Sequence, residues 1–256
     1  NFTSKSIVND GFGNSETITG NNTLWEMQGS RFDDTFTGSA NGESFRSTGG
    51  NNTINAGGGF DRLRYDRDAI ISVDADLERG TSEGVTATGG FGHNNFASSF
   101  ETVTDTISGV EWLRGSNGHD RLAGKAGENN RFDGDGSGPY GGQDVFVYRG
   151  GDDTITDFDV LQDTLVIDLP GVDLAAIDNV NAVNTPEGMV VDFEEFGTLT
   201  LSNISLEDDF HVQANGGLNE IMGTNGNDTL NGTAGDDLIK TGDNEGGATG
   251  YDSVVA

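Results

Sequence analysis

The sequence predicts an all-β protein of short turns and strands stacked on one another, and three observations predict it. The first is a nine-residue beat from Gly29 to Arg64, running GSRFDDTFT, GSANGESFR, STGGNNTIN and AGGGFDRLR without insertion or deletion. In each unit the sixth residue is an oxygen-ligand type (Asp34, Glu43, Asn52, Asp61), and the eighth is large and apolar (Phe36, Phe45, Ile54, Leu63). The second is the presence of 41 glycines but only 3 prolines among 256 residues, a usage that suits many turns at positive φ and has no collagen period. The third is that no long amphipathic helical pattern is visible anywhere in the chain. Nine residues suit a tight turn of six followed by a strand of three, with the eighth residue inward and the sixth at the mouth of the turn. Stacked turns bring carboxylates and backbone carbonyls together, and such an oxygen-only environment suits a hard cation such as Ca²⁺.

Residues 1–28 read as lead-in strands, with Ile7, Val8, Ile18, Leu24 and Met27 as candidate apolar contacts. Residues 29–64 form the first repeat block. Residues 65–109 read as a β-rich spacer: Ile71, Val73, Ala75 and Leu77 alternate as in a half-buried strand, and GVTATGGFGHNNFASSF reads as an ordered loop or hairpin. The beat returns over residues 110–157. GSNGHDRLA carries Asp120 and Leu122, a degenerate unit carries Asn130 and Phe132, and PYGGQDVFV and YRGGDDTIT carry Asp144 with Phe146 and Asp153 with Ile155. Residues 158–213 read as a second β-rich spacer with a hairpin. Strands are expected at Thr164 to Ile167, Met189 to Phe193 and Thr198 to Leu201, and a short helix at Asp173 to Ile177. Residues 214–256 open a third block, truncated, whose units carry Asp228 with Leu230, Asp237 with Ile239, and Asp252 with Val254.

GTNGNDTLN and GTAGDDLIK resemble the consensus G-G-x-G-x-D-x-(apolar)-x of the repeats-in-toxin (RTX) family, the hemolysin-type calcium-binding repeats. About a dozen such units in three phased blocks carry the resemblance. The intervening segments FDRLRYDRDAIISVDADLERGT and DVFVYRGGDDTITDFDVLQDTLVIDLPG are also similar to those of RTX proteins. The resemblance implies a parallel β-roll in which two nonapeptides make one coil. Residues 18 apart then stack, Phe36 over Ile54 and Phe45 over Leu63, with coils about 4.8 Å apart. It pairs Asp34 with Asn52 and Glu43 with Asp61 as the first calcium candidates. It implies metal ligation at Asp34, Glu43, Asn52, Asp61, Asp120, Asn130, Asp144, Asp153, Asp228, Asp237 and Asp252, with roughly four to eight Ca²⁺ ions held by oxygen ligands.

The net charge of −30, from 43 acidic and 13 basic residues, makes nucleic acid and anionic membranes unfavourable partners and opposes compaction unless counter-ions bind. With no cysteine, disulfides and thiolate metal sites are excluded, and calcium becomes the staple. No apolar run reaches about 18 residues, so no membrane span is expected. No signal peptide is recognisable, the chain begins at Asn1 and it ends at Ala256 inside a repeat strand, which reads as a fragment of a longer protein. The family leaves Gram-negative bacteria by type I secretion, so the expected location is extracellular, secreted or on the cell surface.

No catalytic motif is visible. His93, His119 and His211 stand alone, and the acid groups Asp157/Asp159/Asp163 and Glu194/Glu195 are explained by the abundance of acids. GGFGHNNF lacks the helix that a dinucleotide loop requires. Trp25 and Trp112 read as caps over the first coil of each block, and Arg114, Arg121 and Arg131 as partners of surplus carboxylates. The expected function is non-enzymatic: a calcium-folded extracellular spacer, matrix or surface-layer segment, capable of self-association or surface contacts. The alternatives are the accessory region of a secreted protease, lipase or epimerase, or an adhesin module.

Overall fold

A computed structural model describes residues 26–66, 70–88, 99–134, 142–170, 181–202 and 204–205, together with short strand segments at 6–7, 16–17, 212–214, 219–222, 229–231, 237–240 and 253–255. The chain is all-β. Its strands are β1 (Ser6–Ile7), β2 (Glu16–Thr17), β3 (Glu26–Gln28), β4 (Thr35–Thr37), β5 (Ser44–Arg46), β6 (Thr53–Asn55), β7 (Arg62–Arg64), β8 (Ile70–Asp76), β9 (Thr81–Thr88) and β10 (Ser99–Ser108). They continue as β11 (Trp112–Arg114), β12 (Arg121–Ala123), β13 (Arg131–Asp133), β14 (Val145–Tyr148), β15 (Asp153–Ile155), β16 (Thr164–Ile167), β17 (Asn181–Thr185), β18 (Gly188–Asp192) and β19 (Thr198–Ser202). The last are β20 (Val212–Ala214), β21 (Asn219–Met222), β22 (Thr229–Asn231), β23 (Asp237–Lys240) and β24 (Ser253–Val255). In the first block every strand occupies the seventh to ninth positions of its repeat. β-branched and aromatic residues fill the strands, and glycines fill the turns.

Two nine-stranded sheets hold most of the described chain, in the orders β17-β18-β19-β15-β13-β11-β7-β5-β3 and β20-β16-β14-β12-β8-β9-β10-β6-β4. From β3 to β8 and from β10 to β16 the chain passes from one sheet to the other at each successive strand. Within the first block the strands pair in parallel at the expected interval: Phe36 lies beside Ile54 and Phe45 beside Leu63. The same parallel stacking continues through β11, β13 and β15 in the first sheet and β12, β14 and β16 in the second. Purely parallel sheets are not found, however: both sheets are mixed. The antiparallel pairings come from the two spacers, as β8-β9-β10 and as β17-β18-β19. In the first spacer β10 rejoins the stack beside β6, with Ile107 against Ile54, and β8 supports β12, with Ala75 against Leu122.

The eighth-position residues Phe36, Phe45, Ile54, Leu63, Leu122, Phe132, Phe146 and Ile155 are all buried in one apolar core. Aromatic rings meet across it: Phe36 and Phe45 are edge-to-face at 5.9 Å, and Phe132 and Phe146 lie 6.4 Å apart. The alternation expected over Ile71 to Leu77 holds from Val73 onward, but a register shift between Ile70 and Ser72 buries Ile70 in place of Ile71. Met27 packs on the core. Val8, Ile18, Leu24, Trp25 and the expected helix at Asp173 to Ile177 lie outside the described residues. Such a thin core is sensitive to single methylenes. We expect Ile54→Val, at a fully buried position, to cost about 0.5–1.5 kcal/mol, read as a lowered urea midpoint at unchanged slope.

Candidate metal-binding ladders

Each repeat turns sharply just before its strand, so the sixth residue sits where backbone N–H groups of adjacent coils face one another without a strand partner. A buried N–H must find an acceptor, and the sixth side chain supplies it. All eight described candidates (Asp34, Glu43, Asn52, Asp61, Asp120, Asn130, Asp144, Asp153) are buried. Oxygens of Asn52, Asp61, Asp120, Asp144 and Asp153 accept the main-chain N–H of the equivalent residue in the neighbouring coil. Asp34 donates to Asn52 Oδ1 at 2.9 Å, Glu43 to Asp61 Oδ1 at 2.6 Å, Asn130 to Asp153 Oδ1 at 2.6 Å, and Asp120 to Asp144 Oδ1 at 2.8 Å. The Asp34/Asn52 and Glu43/Asp61 pairs expected from the 18-residue interval are therefore brought together.

Three rungs were missed by counting in nines. Asn52 donates its N–H to Asp105 Oδ1 at 2.9 Å, Asp61 to Glu111 Oε2 at 2.9 Å, and Asp144 to Asp163 Oδ1 at 2.9 Å. Each missed residue stands two before an inward apolar residue, namely Ile107, Leu113 and Leu165. The acid-x-apolar triplet was thus the available signal. Asp105 is further tied to the Tyr65 hydroxyl, which donates to its Oδ2 at 3.1 Å and meets Ser82 Oγ at 2.5 Å. Asp228 and Asp252 lie outside the described residues. Asp237 opens β23, where its backbone pairs with that of Asn219, but its side chain is likewise outside the description.

The second carboxylate oxygen divides the ladder into two kinds of rung. At Asp34, Oδ2 accepts the N–H of Ser30 at 2.6 Å and its hydroxyl at 3.1 Å. At Glu43, Oε2 accepts the Ser39 N–H at 2.9 Å and Oε1 its hydroxyl at 2.5 Å. At Asp120, Oδ2 accepts the Ser116 N–H at 2.6 Å and Oδ1 its hydroxyl at 2.8 Å. Asp61 Oδ2 and Asp153 Oδ2, by contrast, are buried and have no hydrogen-bond partner. Burial pushes the Asp61 carboxyl up to about 6, an N–H bond from Glu43 opposing and the charges of Glu43 and Glu111 adding to the rise. Burial pushes Asp153 up to about 7 against the hydrogen bonds from Asn130, with Asp152 adding to the rise. A desolvated carboxylate with an orphaned oxygen in a column of like charges is what a divalent cation satisfies, so Asp61 and Asp153 fit calcium as they stand. Asn52 and Asn130 use their amide N–H groups on Asp105 and Asp153, at 2.8 and 3.2 Å, which relieves acid repulsion without a second charge. Among the described residues, no three acids or histidines converge on one point.

The remaining candidates are structural. Trp112 does not cap a coil. It lies on the outer face of its sheet in register with Arg62 and Arg131, whose guanidinium carbons stand 4.8 and 4.5 Å from its ring centroid. That stack is a cation–π ladder, and it arises because the seventh position faces outward while Leu113 faces in. Arg114 reaches Asp66 and Asp133, and Arg121 reaches Asp74 and Asp76, as expected. His119 accepts the Gln143 N–H at 2.7 Å, a link between coils; His93 and His211 lie outside the described residues. No helix of the described residues is long and apolar enough to cross a membrane. No protein-family model matches the chain, and no curated protein matches it.

Proposed function

We propose that the chain is a calcium-binding, calcium-folded structural segment of a secreted or cell-surface bacterial protein, built as a parallel β-roll of RTX type into which two antiparallel hairpins are spliced. The observation that carries this reading is the pair of orphaned, buried oxygens on Asp61 and Asp153, both at the sixth position of the repeat. The alternation of the chain between two sheets and its 18-residue stacking support the β-roll. The charge of −30 supports a fold completed by cations. Millimolar calcium outside cells completes the sites, and low cytosolic calcium leaves the chain open for export. The segment acts as a spacer, matrix or surface-layer element.

Isothermal titration of the full chain with calcium at pH 7.5 tests the reading. The expected result is saturable binding at extracellular concentrations, with a rise in melting temperature that follows occupancy and that magnesium at equal concentration does not reproduce. A chain that binds no calcium and melts at the same temperature with and without it overturns the reading.

A further inference from the structure

We infer that the residue four before a sixth-position acid decides whether that rung holds an ion: where it is serine, as at Ser30, Ser39 and Ser116, the hydroxyl and N–H replace calcium, and where it offers the acid no donor, as at Gly57 and Arg149, an ion sits at Asp61 and at Asp153. The inference rests on the calcium reading and narrows it, because it removes Asp34, Glu43 and Asp120 from the ligand set that the repeat pattern alone implies.

The argument is one of satisfied and unsatisfied oxygens. A carboxylate needs donors or a cation when it leaves water. In GSRFDD, GSANGE and GSNGHD the serine folds back across the turn and donates twice to the acid four residues on. At Asp120 a third bond comes from the neighbouring coil. The Val73 N–H donates to Asp120 Oδ1 at 2.7 Å, so that carboxylate has donors on both oxygens. An ion entering there displaces donors already in place. In AGGGFD the equivalent residue is Gly57, which has no side chain to offer. In YRGGDD it is Arg149, whose guanidinium turns away to Asp76 at 2.9 Å and Asp168 at 2.8 Å. These are the two rungs at which a buried carboxylate oxygen is left without a partner. The correspondence spans both blocks, so it does not follow from one local irregularity. It gives one stack two kinds of coil, some closed by hydroxyls at any calcium concentration and some closed only by the ion.

Calcium stoichiometry measured by equilibrium dialysis on the full chain and four variants tests this, with folding checked by circular dichroism at saturating calcium. Asp61→Asn and Asp153→Asn are each expected to lose one ion. Asp120→Asn is expected to lose none, and Ser116→Gly to gain one. If Asp120→Asn loses an ion, or Asp61→Asn loses none, serine does not stand in for calcium and the inference falls while the calcium reading survives. Should Asp61→Asn and Asp153→Asn fail to fold, the Asp120→Asn and Ser116→Gly arms decide alone. A wild-type chain that retains no calcium overturns inference and reading together, and the titration above identifies that case.

Discussion

At pH 8 in EDTA the chain is expected to melt far below its melting temperature at saturating calcium, and acidifying the calcium-free sample toward pH 5 is expected to recover part of the difference. The sign follows from Asp61 and Asp153, whose folded-state values of about 6 and about 7 lie above the ordinary 3.8. An acid whose value is raised on folding binds more protons folded than unfolded between the two values. Stability is therefore undiminished at low pH, falls as pH rises through that window, and reaches its floor above about pH 7. As upper bounds the shifts correspond to roughly 3 kcal/mol at Asp61 and roughly 4 kcal/mol at Asp153, and repulsion within a chain of net charge −30 acts in the same direction. Calcium is expected to replace the proton at these two acids, so their part of the slope disappears at saturating ion. The scan should stop near pH 4.5. Asp66 and Asp76 resist burial through hydrogen bonds from Arg64 and Arg149, which hold both carboxyls below their ordinary value, and their contribution is lost on further acidification. Asp133, raised to about 7 by burial and then by Asp157, titrates in the same window. The part of the slope lost in Asp61→Asn and Asp153→Asn isolates the ladder from it. A calcium-free melting temperature that is flat from pH 5 to pH 8 rules out this account.

The sequence made the periodic parts of this fold legible because each repeat encodes its own register. A strand of three follows an acid and centres on an apolar residue, and the observed β4, β5, β6 and β7 fall on that frame. Asp105 escaped notice for a physical reason. It belongs to β10, which enters the stack beside β6 through a pairing of residues 53 apart, Thr106 with Thr53, and no local period announces a strand inserted by a hairpin. The spacers were read as separators, yet Thr164 to Ile167 and Thr198 to Ser202 continue the two stacks. What a spacer adds is an antiparallel excursion, after which stacking resumes. Trp112 was misjudged because a large aromatic beside a block start suggests a lid, whereas its seventh-position register places it between two guanidinium groups. The serines were visible at a fixed interval from the acids. Their effect was not, because it depends on which carboxylate oxygen the hydroxyl reaches.

Three successive glycines in the turn AGGGFD respond oppositely to alanine. Gly57 has φ +103° and Gly59 φ +121°, a region that L side chains rarely adopt, at a cost of about 1–3 kcal/mol. Space is also lacking. A Cβ on Gly57 drives into the carbonyl oxygen of Ser39, and one on Gly59 falls 2.5 Å from that of Asn41. Both obstacles are backbone of the preceding coil, 18 residues earlier, so relief requires the stacked turns to separate. Separation strains the Gly58 N–H bond to Ser39 O at 2.9 Å and the Glu43 N–H bond to Asp61 Oδ1 at 2.6 Å. Gly58 faces open space, with nothing within 4 Å of a Cβ there, and alanine keeps its N–H. Gly57→Ala and Gly59→Ala are thus expected to lose about 3–5 kcal/mol, combining strain with overpacking. Gly58→Ala is expected to gain up to about 1 kcal/mol by narrowing the unfolded ensemble. Urea denaturation at saturating calcium separates them. Because the strained bond holds Asp61, Gly57→Ala also raises the calcium concentration required for folding, whereas Gly58→Ala leaves it in place. Equal losses at all three positions place these turns further apart than the stacked coils described here.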